Sequence, residues 1–449
     1  MKKKIHKQAE ENLLLIEFIL RPITYTSWLL GVGVAHPRKC PKSVTIILRI
    51  IHLALCSISV TYNLKNFLNS YNDFNLESDI YKCLRFINLV ISHVSTYYYI
   101  YQVIRQYDKW LELMDKIKEL DQKIMKEMPI SSRPIKIVET LAILATFTCC
   151  PLGLIADVLY YYFTNPYKIG IQLTVYYMSA QSLINSFVFD VVVYVLYCRL
   201  EVINKLAGQL DEISDAIRVT LKIRRIREMH NGIWDLVIMI NDIHGFHLLL
   251  CSVNCLTMAV TQLFAIYTVI MEKNNPFMLI YIILPALYIT QFGLMCWICT
   301  LMRREIDKSG IIIYTIVLNF KHVNLKLKGS SQSNLEMETS VEDSNSGQNS
   351  IWSTSHSPIN FAMENLSENL NRDCIRREIK DFLIQLQHRR VVFTACGFFE
   401  MNNVVFSGFI GVIIVYLTIC IQFYKPTKHI ENTIRKEVHS ICSFKICGF

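Results

Sequence analysis

The sequence predicts an all-α integral membrane protein with seven transmembrane helices, its N-terminus cytoplasmic and its C-terminus extracellular. Long helices are expected to extend into the cytoplasm. Three observations carry this reading. Of the 449 residues, 52% are hydrophobic and only 18% are charged, where soluble domains run nearer a quarter charged. Seven apolar stretches are long enough to span a bilayer, which takes about 20 residues each. Lys and Arg alternate from rich to poor in the segments between them, as the positive-inside rule demands. The net charge of +9 therefore reflects membrane topology, and no nucleic-acid partner is expected.

The chain opens on MKKKIHK followed by LLLIEFIL. The short apolar core is broken by Glu17 and no small-residue cleavage site follows, so 1–43 is expected to be a cytoplasmic, partly amphipathic segment. The spans follow at about 44–64, 80–104, 137–163, 170–198, 243–271, 277–302 and 401–424. The first contains Arg49 and His52, expected to snorkel from one end to the interface. Eight basic residues lie in 1–43, eight in loop 105–136 and seven in loop 199–242, against only Lys168 in TNPYKI and Lys273 in EKNNP. The tail after Tyr424 is basic too and opposes the pattern, but it is outnumbered by the loops that agree.

The cytoplasmic segments carry helical stripes. Tyr107, Trp110, Leu111, Met114, Ile117, Leu120 and Ile124 form one. Leu206, Leu210, Ile213, Ile217 and Leu221 form a second, and Ile375, Ile379, Phe382, Leu383 and Leu386 a third. Helices 2, 4 and 7 are thus expected to continue below the membrane and to pack on one another or on other subunits. Within the loop 303–400, the polar stretch 329–372 has the composition of a disordered insert, and 373–400 is expected to be a subunit-packing helix. Asn365-Leu366-Ser367 in the insert matches a glycosylation sequon that a cytoplasmic location would leave bare. The remainder divides into 44–302 with six spans and a ligand pocket in their outer half, the last span 401–424, and a tail 425–449.

Most of the fifteen cysteines sit in apolar segments as small hydrophobes. No CxxC pair stands at zinc-like spacing from a second pair. His244 and His247 are three apart, yet no carboxylate or thiol is placed to complete a metal site. Neither metal nor cofactor is expected, and no nucleophile elbow, P-loop or kinase motif supports an enzyme.

The last span ends VYLTICIQF, and the chain from 384 reads QLQHRRVVFTACGFFEMNNVVFSGFIGVIIVYLTICIQF. It resembles the C-terminal signature of insect gustatory receptors, a Thr-Tyr, five mostly apolar residues and Gln-Phe. Tyr416, Gln422 and Phe423 match, and Val415 replaces the Thr. FTACGFFEMN is similar to the segment that leads into that helix. The motif spans roughly 40 residues and the rest agrees in plan. Leu417 stands where sugar-responsive members carry an acid, which argues against the main sugar branch and leaves the fructose-like branch and bitter ligands open. The tail is longer than the family's usual few residues.

The resemblance implies a taste receptor in the plasma membrane of sensory neurons that acts as a ligand-gated, non-selective cation channel. It implies a homotetramer or a heterotetramer with related subunits, in contact with membrane lipids and opened by a small tastant. Four copies of the last helix would line one pore, with Gln422 facing ions, Phe423 as the gate and Tyr416 packed beside them. On the residues alone, Gln422 at headgroup level is an equal alternative. Polar and aromatic side chains in the outer halves of spans 3 to 6 are pocket candidates: Asp157, Tyr160, Tyr161, Tyr177, Gln181, Gln262, Tyr267, Tyr281 and Tyr288. Asp157 leads them, since an acid inside a membrane is costly, while each tyrosine alone is more often an interface anchor. Asp190, in the inner half of span 4, is expected to pair with a basic residue. Pro285 is expected to kink span 6. A G-protein-coupled receptor and a secondary transporter are the alternatives. The inverted charge bias and the lack of Asp-Arg-Tyr and Asn-Pro-x-x-Tyr oppose the first. The lack of internal repeats opposes the second.

Overall fold

The computed structural model describes residues 20–38, 40–72, 79–129, 133–164, 169–212, 216–271, 278–332 and 373–422. The described chain runs α1 (Arg21–Leu29), α2 (Lys42–Asn72), α3 (Asp79–Arg105), α4 (Tyr107–Met125), α5 (Arg133–Thr164) and α6 (Ile169–Gly208). A 3-10 turn (Gln209–Glu212) precedes α7 (Ala216–Met271), α8 (Met278–Gln332) and α9 (Asp373–His388). The hairpin β1 (Thr394–Ala395) and β2 (Phe399–Glu400) then leads into α10 (Asn403–Gln422).

The seven expected spans fall on α2, α3, α5, α6, α7, α8 and α10. Among the described residues, stretches of α2, α7, α8 and α10 are each long and apolar enough to cross a bilayer. The centre of the bundle is α6, whose run from Leu183 to Leu200 is buried on nearly every side. Its sequence, FVFDVVVYVLYC, is apolar on every side except at Asp190, as a helix tends to be when neighbours cover every face. It packs α5, α7, α8 and α1, while α3 lies against α7. Pro285 sits inside α8, which continues through it.

The end of the bundle that carries the basic loops is built more extensively than the stripes suggested. The helices of spans 5 and 6 extend there as well: α7 and α8 run 56 and 55 residues without a break. Span 2 does not continue as one helix. It breaks at Gln106, with φ −116° and ψ 25°, and α4 begins anew.

The first stripe faces inward on α4, with Trp110, Met114, Ile117, Leu120 and Ile124 buried together with Leu113, and it packs on α7, α3 and α6 of the same chain. The third stripe is buried whole, against α7 and α8. The second is corrected. Leu206 and Leu210 are buried, but Leu221 is 52% exposed, and Val219, Ile223 and Ile226 take the inner face of α7 instead. The 3-10 turn resets the helical phase between α6 and α7, so one period cannot be carried across it. Ile213 lies outside the described residues, as do Asn365 and the insert from 333 onward. Positions 329–332 are the last turn of α8.

Two further expectations change. The helix anticipated over 373–400 ends at His388, because the run Val391, Val392, Phe393, Thr394 and the turn Cys396–Gly397 favour extended chain. Cys396 and Gly397 both have positive φ, 52° and 76°. The apolar stripe of α9 is buried against α7 and α8 of its own chain.

Segment 20–38, expected as part of a cytoplasmic stretch, forms a re-entrant hairpin in the sense that it turns back on itself within the helix bundle. Ile23 N–H donates to Glu139 on α5 at 3.2 Å. The turn at Leu29–Leu30 meets α2 and α6, and the chain returns so that His36 stacks on Tyr107 at 4.1 Å and Arg38 pairs with the exposed Asp115 at 2.6 Å. His52, which the turn reaches, is about 15 Å along α2 from Lys42. Two glycines permit the turn. Gly31 and Gly33 have φ of 75° and 63°. A Cβ on Gly31 would overlap the His52 ring, and one on Gly33 would strike Asn185 Oδ1.

Candidate functional site

Pore-helix candidates come first. α10 is tied to the bundle by one edge. Asn402 caps it through Oδ1 to Val405 N at 2.9 Å, and Asn403 N–H donates to Thr300 Oγ1 at 3.0 Å. Phe292 of α8 meets Phe409 at 4.4 Å between ring centroids, and Phe406 rests where Gly293 leaves room. On the other faces Val404, Val412, Ile414, Val415 and Ile419 are exposed, Tyr416 is 52% exposed and Gln422 is exposed. Phe423 lies outside the described residues.

The hairpin before α10 is bolted to α7. Asn241 donates to Val392 O at 2.7 Å and accepts from Thr394 N at 3.1 Å, satisfying two backbone groups with one side-chain amide. Gly245 lets Thr394 and Cys396 approach to about 3.4–3.5 Å of where its Cβ would stand. Arg227 joins α7 to Glu378 and Asp381 of α9 at 3.0 and 3.1 Å. Arg389 stacks over Trp234 at 4.5 Å, and Arg303 of α8 pairs with Glu400 at 2.9 Å. A displacement of α7 or α8 would thus be passed to the base of α10.

Five of the nine pocket candidates have described side chains. Tyr177 and Gln181 do meet, at 2.8 Å, but they serve the re-entrant hairpin. Gln181 Nε2 also donates to Leu30 O at 2.8 Å, while His52 Nε2–H donates to Leu29 O at 3.0 Å. That tautomer leaves His52 Nδ1 to accept the Tyr177 hydroxyl proton. The chain of donors is complete, Gln181 to Tyr177 to His52 to backbone. Tyr288 is buried, Tyr267 stacks on Phe264 at 6.4 Å and Gln262 is half-buried. The side chains of Asp157, Tyr160, Tyr161 and Tyr281 lie outside the described set. A cleft of about 400 Å³ opens elsewhere, at the basic end between α4 and α7, lined by Lys109, Glu112, Lys116, Asp235, Ile238, Met239 and Asp242. Its shallow, mixed-charge wall lacks the aromatic lining of a small-molecule pocket.

Asp190 is corrected. It takes no basic partner among the described residues, and its Oδ2 accepts from the Gln291 amide of α8 at 2.7 Å. An amide satisfies a buried carboxyl without drawing a second charge out of water. Beside it, His247 bonds Asn185 at 2.9 Å and Ser186 at 3.4 Å. Among the described residues no group of three His, Cys, Asp or Glu converges to hold a metal.

Arg49 is the second correction. It does not snorkel: it is 1% exposed, and Nε and both terminal nitrogens lack hydrogen-bond partners. The cue was present in Thr45, Arg49, His52 and Cys56, spaced along one helical face and all buried. That face meets the re-entrant hairpin, which sequence periodicity alone did not reveal.

A family model described as 7tm chemosensory receptor matches residues 20–333 and 345–425. The fold is similar to the insect olfactory receptor OR5 from Machilis hrabei in complex with eugenol, with a TM-score of 0.56 and 11% identity. That match covers 92% of this chain and 100% of the other. A second structure of OR5 from Machilis hrabei is similar at a TM-score of 0.54, with the same identity and coverage. Among curated protein sequences none matches. The resemblance found at Tyr416 and Gln422 thus extends over nearly the whole chain, and the protein belongs to the 7tm chemosensory receptor family.

Proposed function

We propose that this chemosensory receptor is a ligand-gated, non-selective cation channel of the gustatory kind. It sits in the plasma membrane with its basic end in the cytoplasm. Four subunits, identical or related, place α10 around a common axis. The observation that carries the reading is the bare face of α10. A helix lying in lipid gains nothing from Gln422, whose amide needs polar partners. Around a shared aqueous axis, water and passing cations supply them, and amide oxygens replace part of an ion's hydration shell. Phe423 then closes the path by excluding water, and Tyr416 packs between neighbouring helices.

The tastant, a sugar or a bitter compound, enters among the outer ends of α5, α6, α7 and α8. Asp157 is the leading contact, accepting from a hydroxyl or a cationic group, with Tyr160, Tyr161, Gln262, Tyr267, Tyr281 and Tyr288 as walls. Leu417 argues against the main sugar branch. Tyr177 and Gln181 act more indirectly, because their hydrogen bonds hold the re-entrant hairpin. The link to the pore runs through α8, where Phe292 rests on Phe409.

Recordings from excised patches of cells expressing the chain, free of soluble G-protein components, test this reading against a panel of sugars and alkaloids. Ligand-evoked cation current is expected. Gln422→Ala should alter relative permeability or unitary conductance at unchanged ligand sensitivity, whereas Asp157→Asn should shift the dose response. Current that disappears on excision, or permeation untouched by the Gln422 change, would sink the channel reading.

A further inference from the structure

Arg49 poses a problem of charge. Its guanidinium lies inside the protein with all three nitrogens unpartnered, and no acidic group among the described residues pairs with it. By contrast, the buried Arg199 has a bidentate partner in Asp121, at 2.7 and 3.0 Å. An isolated buried cation is costly unless an anion or a set of acceptors answers it. The neighbours of Arg49 offer little. Thr45 Oγ1 receives the Trp28 indole N–H at 3.2 Å. Tyr177 gives its hydroxyl proton to His52. His36, within electrostatic reach of Arg49, spends Nδ1 on Val34 O at 2.9 Å and leaves Nε2 unpartnered.

The position narrows the chemistry. Arg49 is about 10 Å along α2 from Lys42. In a membrane whose basic side is this one, that is near the level of one leaflet's phosphates. Lys42 is exposed at the helix start and packs over Tyr107 at 5.0 Å, with Arg38 exposed beside it. Such residues draw anionic head groups toward the surface. The planar fork of a guanidinium matches two phosphate oxygens at once.

We propose that Arg49 is the centre of a phosphate-binding site between α2 and the re-entrant hairpin, filled by the head-group phosphate of an inner-leaflet phospholipid. The phosphate enters from the Lys42 end and clamps the hairpin to α2. The site depends on the membrane placement of the bundle and not on α10 lining a pore, so it stands or falls separately from ion conduction.

The test uses the purified full chain. In nanodiscs of phosphatidylcholine containing about one-tenth phosphatidic acid, thermal unfolding should shift upward by about 2–4 °C relative to phosphatidylcholine alone. Native mass spectrometry should find one phospholipid retained per subunit. Arg49→Met removes the charge and keeps much of the volume. It should fold without the shift and without the retained lipid. Should that variant fail to fold, Arg49→Lys keeps a point charge but loses the fork, and retention should fall at least several-fold. A shift produced equally by inorganic phosphate in detergent assigns the site to soluble phosphate and overturns the lipid source. No shift with either probe, or full retention in the variants, overturns the site itself.

Discussion

At the scale of single residues, burial decides what an ionisable side chain does. His230 on α7 is buried against the Phe382 ring, 5.6 Å away, with Nε2 unpartnered. Burial alone pushes its pKa down from 6.5 to about 4. The folded form then holds this ring neutral while the unfolded chain protonates it. Stability from this residue is intact above about pH 6.5 and is lost as pH falls toward 4, by at most about 3 kcal/mol. Unfolding midpoints of the purified protein across that range should fall more steeply than those of His230→Leu; parallel curves would place the acid sensitivity elsewhere. The same scale shows what a one-dimensional reading misses. Asp190 and Arg49 were recognisable as costly, but the partner of Asp190 stands 101 residues away and Arg49 has none among the described residues. Sequence spacing contains neither.

At the scale of elements, periodicity was informative wherever one face met one neighbour. Every residue of the α9 stripe is buried, and five of the seven on α4 are. It failed where a turn interrupts the helical phase, as at Leu221, and where a short segment is gripped from several sides, as in 20–38. The lengths of α7 and α8 were also hidden, because their basic-end extensions carry many charges while their apolar faces are shared among several partners. Wherever such extensions stand in water, apolar burial is the driving force. In the lipid-embedded part close packing and hydrogen bonds take over, since lipid is as apolar as the side chains. The hairpin shows the weight of one polar group in this setting. Asn241→Ala strips Val392 O and Thr394 N of their partners together, a cost of about 1–3 kcal/mol. Amide hydrogen exchange over 391–400 should quicken while the middle of α6 keeps its protection. Unchanged exchange at 394 would mean that α7 does not hold the hairpin.

For the molecule as a whole, the seven spans were legible because lipid enforces long apolar runs and the basic loops mark one side. A ligand pocket is not legible in the same way, because it depends on side-chain positions that no period encodes. Orientation has a direct check. With the basic end in the cytoplasm, Asn365 stays unglycosylated in expressing cells, and treatment with a glycosidase leaves the electrophoretic mobility unchanged. A shift traceable to Asn365 would turn the molecule over and place the exposed face of α10 in a different context.

The hairpin of residues 20–38 also bears on how the protein is made. Leu30 leaves the ribosome long before Gln181, its hydrogen-bond partner 151 residues downstream, a delay of roughly 8–30 s at ordinary synthesis rates. Until α6 is inserted, the polar backbone of this turn lacks its Gln181 partner and has no seat. It must wait at the membrane surface or under a chaperone's cover, and a segment translated before α6 locks only after it. Slowing elongation between α2 and α6 should therefore raise the fraction of chains sent for degradation.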